Sequence, residues 1–129
     1  MSVSIIFPID KESGRILLGK RLAGWGVGFY SGFAGLQEPG EQAVVTAQRE
    51  LQEECGIYAE VSDISFQGKF VFSGMSVFFT DNWSGSPERS GEMIPEWFII
   101  DDMPWDQMPP TERSWLEPLL EKYLDVSLS

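Results

Sequence analysis

The chain has 129 residues, 43% hydrophobic and 22% charged, the balance of an ordinary soluble protein built around one core. Twenty acidic residues against nine basic ones give a formal net charge of −11, which repels phosphodiester backbones and excludes bulk nucleic acid as a partner. Histidine is absent, which removes Ser-His-Asp hydrolysis and His-ligated zinc, and the single cysteine, Cys55, permits no internal disulfide and suits a reducing cytoplasm.

The opening MSVSIIFPID lacks a basic region, and its apolar run is too short for a signal peptide or a membrane span, so no membrane partner is expected. Val3 to Ile9 alternates as a strand with Val3, Ile5, Phe7 and Ile9 on one face. A turn at Lys11 to Gly14 and a second strand from Arg15 to Arg21 complete a predicted hairpin. Ala23 to Gly35 interleaves glycines with Trp25, Phe29, Tyr30 and Phe33. It reads as a loop feeding one short strand, with a backbone that lets a phosphate or ring come close.

Pro39-Gly40 marks the turn before a helix predicted over Glu41 to Cys55, with Ala43, Val44, Ala47, Leu51 and Cys55 as its buried stripe and Gly56 at its end. Cys55 falls on the apolar side of this helix and reads as a small core residue. Strand-like runs follow at Tyr58–Phe66, Gly68–Phe72, Met75–Thr80 and Glu96–Ile100, with a polar loop from Asp81 to Gly91. Trp115, Leu116, Leu119, Leu120, Tyr123 and Leu124 have helical spacing. Pro118 places the start of that last helix at Ser114 to Glu117, where proline sits in the first turn. A strand-rich centre with two helices predicts an α/β fold with a mixed sheet covered on both faces. Without repeat, low-complexity tract or linker, one domain over residues 1–129 is expected.

The chemistry concentrates in GLQEPGEQAVVTAQRELQEECGI, from Gly35 to Ile57. Glu50, Glu53 and Glu54 recur at i, i+3 and i+4, so a helix projects them from one side, beside the apolar stripe. Three like charges there repel one another, and Arg49 neutralises them only in part; a hard divalent cation supplies the charge that such an oxygen cluster lacks. The bland alternative is a solvated acidic helix face.

The rest of the segment decides between the two. Gly35, Glu41, Arg49, Glu50, Leu51, Glu53, Glu54, Gly56 and Ile57 meet every fixed position of the pattern G-x5-E-x7-R-E-U-x-E-E-x-G-U, where U is a bulky aliphatic residue. At roughly one in fifteen for each of the seven fixed residues, a chance match at a given start is on the order of 10⁻⁸. The segment thus resembles the Nudix box. The resemblance implies an α/β/α sandwich with a central mixed β-sheet, and hydrolysis of nucleoside diphosphate derivatives by water attack on a phosphoanhydride with Mg²⁺ or Mn²⁺. By that resemblance Glu50, Glu53, Glu54 and the Gly35 carbonyl are metal ligands, Arg49 orients a neighbouring glutamate, and Glu53 is the candidate base. Glu92, in the loop before the last strand, matches a position of a further catalytic or metal-binding glutamate. Glu41 opens the helix, where its charge suits the positive end of the dipole.

Outside the box the chain is similar to the oxidised-purine nucleoside triphosphatases, human-type relatives of the bacterial antimutator MutT. The similar stretches are ILLGKRLAGWGVGFYSGFAG, GKFVFSG, FFTDNWSGSPERSGEMIPEWF and PWDQMPPTERSW. Trp25, Phe70 and Phe72 take the positions of that group's base-stacking aromatics. The match breaks where the group has a purine-reading tryptophan, a proline and two aspartates: here stand Pro109, Pro110, Thr111 and Glu112, and Ser31 replaces a base-contacting asparagine. Glu112 is left to accept from a purine edge, and Trp105 or Trp83 to supply a ring. The resemblance implies a small-molecule purine (d)NTP, oxidised ones such as 8-oxo-dGTP included, cleaved to monophosphate and pyrophosphate by a cytoplasmic monomer or homodimer. Two other readings stand beside it: a dinucleoside polyphosphate, ADP-ribose or capped RNA as substrate, and a non-catalytic nucleotide sensor.

Overall fold

The computed structural model describes residues 2–70 and 73–128. Among them, seven strands and two α-helices form the fold. The hairpin β1 (Val3–Asp10) and β2 (Arg15–Arg21) stands where the alternating sequence puts it. The expected single strand after the Gly-rich loop is two, β3 (Tyr30–Ser31) and β4 (Phe33–Leu36), which leave in different directions: β3 pairs β2, and β4 pairs β1.

β1 is the hinge of the architecture. Its first half lies between β4, antiparallel, and β6 (Met75–Thr80), parallel; β5 (Ile64–Phe70) adds outside β6. Its last residues pair β2, which on its other edge pairs β7 (Met93–Ile99) along its whole length. The result is a mixed sheet whose strands bury both faces, so β1 is enclosed from Ser4 to Ile9 and not on one face alone. One face holds Ile5, Phe7 and Ile9 with Val77, Phe79 and the helix α2 (Glu112–Leu124); the other holds Ile6, Leu17 and Phe78 with α1 (Ala43–Cys55). This is the α/β/α sandwich.

α1 packs Ala47, Leu51 and Cys55 fully, with Ala43 and Val44 at the margin, and truncating Leu51 to Ala would cost about 2–5 kcal/mol. Gly56 ends it at φ +80°, a conformation without steric cost only for glycine, and donates its N–H to the Gln52 carbonyl at 2.9 Å. The helix starts at Ala43 with Gln42 as N-cap, so Glu41 lies outside it and the expected dipole role is replaced by side-chain bonding, below.

Three other expectations are corrected. The runs Tyr58–Phe66 and Gly68–Phe72 are not two strands. Tyr58 makes an isolated bridge to Ser84, Val61–Asp63 is a 3₁₀ turn held by Thr80 and Asn82 on Asp63, and β5 then crosses Gln67 with a bulge between Phe66 and Gly68. Phe72 lies outside the described residues. β7 begins at Met93, three residues before the expected Glu96, because Pro95 is accommodated on an edge strand whose other side has no β partner among the described residues. α2 starts at Glu112, which puts Pro118 in its interior, at an exposed position, where it removes one helical N–H donor.

Candidate active site

α1 carries Glu50, Glu53 and Glu54 on one side, but packing gives each a different environment. Glu54 is turned into the protein, 2% exposed. Its Oε1 accepts the Ala34 N–H at 2.9 Å and its Oε2 lies 3.6 Å from the Arg21 guanidinium. Burial pushes this carboxyl up to about 8 against the pull of Arg21, and the Glu50 and Glu92 charges add to the rise. Glu50 is largely buried too, and burial raises its carboxyl despite Arg49. Gly35 on β4 makes room for it: a β-carbon there would run into the Glu50 carboxyl. Glu53 stays 57% exposed. The even acidic flank expected from helical spacing is therefore graded from buried to open.

Arg49 ties the segment together. Its Nε and Nη2 donate to the two oxygens of Glu41 at 2.8 and 2.9 Å, a bidentate pair, and Nη2 also reaches the Leu36 carbonyl at 3.1 Å. Nη1 donates to Glu50 at 2.8 Å and Glu53 at 3.4 Å. Glu41 accepts from the Thr46 hydroxyl and the Glu38 N–H as well. These bonds, that from Arg49 first, pull its carboxyl down to about 2. Glu41 thus anchors the arginine that stands between the other acids.

Glu92 arrives from a separate element, the loop before β7. With Glu50, Glu53, Glu54, Arg21 and Gly35 it lines a polar basin of about 480 Å³. Five carboxyl groups, counting Glu41, meet two guanidinium groups, a formal excess of three negative charges that burial of Glu54 and Glu50 opposes. Among the described residues no three acids converge on one point, because Arg49 occupies Glu50 and Glu53. The donor set still fits a hard cation: it is all oxygen, and its acids outnumber the two guanidinium groups among them.

A second cavity, about 830 Å³, opens beside the basin and shares Arg21, Ala34 and Gly35 with it. Its walls are mainly apolar, with Trp25 and Phe29 from the Gly-rich loop, Phe70 and Met75 from β5 and β6, and Pro109 and Trp115 from the last segment. One polar pair is set into this wall. Ser31 Oγ donates to Glu112, 2.8 and 2.9 Å from its two oxygens, and burial of Glu112, 5% exposed, pushes its carboxyl up to about 7. Ser31 and Glu112, 81 positions apart in sequence, thus meet in one hydrogen bond.

Trp25 is 89% exposed at the cavity rim, and Phe70 packs on Trp115 at 5.4 Å. Neither ring expected as a substitute reaches the cavity: Trp83 stacks on Trp97 at 5.8 Å, and Trp105 lies under Arg113. Trp115 lines it instead. Its place in the apolar stripe of α2 marked it as core, and only the packing of that helix over Phe7 and Phe70 exposes its other side.

Residues 1–123 match the NUDIX domain family. The chain is 36% identical over 117 residues to an oxidized purine nucleoside triphosphate hydrolase of Danio rerio, covering 86% of this chain and 75% of that one. It is 36% identical over 114 residues to the protein of the same description in Mus musculus, with 84% and 73% covered. Among solved structures it superposes on one from a study of MutT from Aliivibrio salmonicida and Vibrio cholerae, with a TM-score of 0.78 at 21% identity over 94% of this chain and 97% of that one. No helix among the described residues is long and apolar enough to cross a membrane. With the box intact on α1, Glu50 seated against Gly35 and the sandwich fold around them, the chain belongs to the Nudix hydrolase family, enzymes of nucleotide phosphoanhydrides that use a divalent metal.

Proposed function

We propose that the chain, acting as one domain over residues 1–129, converts a purine (d)NTP, oxidised ones such as 8-oxo-dGTP included, to the monophosphate and pyrophosphate. The observation that carries this is the adjacency of the two cavities: an apolar slot large enough for a purine nucleoside opens directly onto an acidic basin, with Arg21 and Gly35 at the junction. The names of the zebrafish and mouse relatives support the same substrate class. A lone buried thiol, Cys55, agrees with a reducing cytoplasm, where free nucleotides are found.

Mg²⁺, with Mn²⁺ as a substitute, would be held by Glu50, Glu53, Glu54 and the Gly35 carbonyl. Bound there, it supplies neutralisation of the polyphosphate and of the departing pyrophosphate. The chain's own residues do the rest. Glu53, open to solvent and bonded to Arg49, takes the proton of the attacking water, and Glu92 lines the same basin. Arg49, anchored on Glu41, orients Glu50 and Glu53. In the slot, Trp25, Phe70 and Trp115 offer faces to the base, and stacking of this kind is worth roughly 1–3 kcal/mol per base. Ser31 and Glu112 read its edge, with Glu112 placed to donate as well as accept because burial keeps a proton on it near neutrality.

The test is a nucleotide panel with Mg²⁺, following pyrophosphate and phosphate separately. Pyrophosphate from purine triphosphates, with oxidised ones favoured, is the expected result. Turnover confined to dinucleoside polyphosphates or ADP-ribose would overturn it, and tight binding without turnover would make the domain a sensor.

A further inference from the structure

Residues 21–29 form a strap that touches both cavities. Its foot is closed by three hydrogen bonds: Arg21 N–H to the Phe29 carbonyl at 3.1 Å, Gly28 N–H to the Arg21 carbonyl at 2.8 Å, and Phe29 N–H to the Gly26 carbonyl at 3.0 Å. Its tip carries Trp25 and Val27, both exposed, between Gly24, Gly26 and Gly28, all with φ between +80° and +87°. A run of left-handed glycines around an unpacked tryptophan gives a segment with few contacts to hold it in place.

The other side of the strap reaches the hydrolytic basin. Leu22 N–H donates to the Glu92 carbonyl at 2.9 Å, continuing the β2–β7 ladder one step past the Arg21–Met93 pair. The Glu92 N–H is held in turn by Ser90 Oγ at 3.2 Å. Arg21, the residue before Leu22, stands 3.6 Å from Glu54 and lines both cavities. So the backbone that carries the stacking ring of one cavity also holds the main chain of an acid in the other, three residues away.

We propose that the strap couples the two sites: a base seated under Trp25 draws the strap down, and Leu22 carries that change to Glu92, setting its carboxylate for the reaction. Trp25 and Leu22 are then positioning residues for hydrolysis, and Trp25 is part of the base site as well. The inference rests on the triphosphate-hydrolase reading above. Two independent cavities would behave differently, since loss of Trp25 would then raise KM and leave kcat untouched.

A double-mutant cycle decides it, because Trp25 and Glu92 are both exposed and their substitution leaves the core intact. With the preferred purine triphosphate, Trp25→Ala is expected to lower kcat about tenfold as well as raise KM, and in a Glu92→Gln background to change kcat by less than about twofold. Losses in kcat that multiply across the cycle, or a Trp25→Ala effect confined to KM, overturn the coupling while the hydrolase reading stands. A wild-type protein that turns over no nucleotide sinks that reading and the coupling with it.

Discussion

The two cavities are built on opposite terms. The basin is crowded with charge: acids outnumber bases, and Arg49 is shared among Glu38, Glu41, Glu50 and Glu53. The slot is mainly apolar, with Glu112 as its buried acid, Ser31 as that acid's partner, and Arg21 and Lys69 in its lining. The basin's acids come mostly from two turns of one helix, whereas the slot is assembled from the strap, all seven strands and the final helix. On the proposed function, bond-breaking depends on local helix geometry, and base selection on how distant elements dock. A change in the basin should abolish chemistry without changing preference, and a change in the slot should alter preference or stability without abolishing chemistry.

The sharpest way to break that contrast is Glu53→Gln. Glu53 is exposed, so the fold should keep its melting temperature, while kcat falls by about a hundredfold or more. Retained activity within a few-fold would move the chemistry elsewhere in the basin. Gly35→Ala comes next, because its β-carbon collides with the Glu50 carboxyl. Displacing one ligand should cost about tenfold in kcat and raise the Mg²⁺ concentration needed, with the ranking of bases unchanged. A changed ranking would show that the shared strand β4 transmits between the sites.

The smallest expected effect lies in the slot and concerns stability. Folded Glu112 keeps its proton up to about 7, while an unfolded glutamate loses it near 4.5. The folded state therefore binds the extra proton between those values, and the stability it brings is full below 4.5 and lost as pH rises through 7. Thermal melts should show the wild type declining more steeply than Glu112→Gln between pH 5 and 8, with metal absent from both. Parallel curves would mean that Glu112 is better solvated than its 5% exposure implies.

Much of the basin was legible in sequence because its information is local. An i, i+3, i+4 spacing fixes which side of a helix the glutamates share, and Gly56 fixes where that helix ends. What the spacing hides is depth. Glu54 and Glu53 are neighbours, yet one is buried under β4 and Arg21 and the other faces water. Glu41 misled for a related reason: its place before the helix suited a dipole role, and its actual partner, Arg49, lies eight residues on.

For the slot, sequence supplied candidates without their relations. Ser31 and Glu112 were legible one at a time, as departures from a related pattern, and the bond between them was not. Trp115 passed for core because a stripe at helical spacing does not tell which ring borders a cavity. The strand runs around Tyr58 to Phe66 failed likewise: β-propensity marks residues that suit a pleated surface, while the 3₁₀ turn at Val61–Asp63 is set by bonds from Thr80 and Asn82.

The sequence by itself determined the reaction class, since the box needs only one helix, one glycine and the charges between them. The tertiary structure decided the rest: which glutamates are buried, which aromatic rings face the slot, and that the strap bearing Trp25 is hydrogen-bonded to Glu92. The physical reason is range. Helical periodicity is written in neighbours, but desolvation and cavity shape arise where segments 20 to 81 positions apart come into contact.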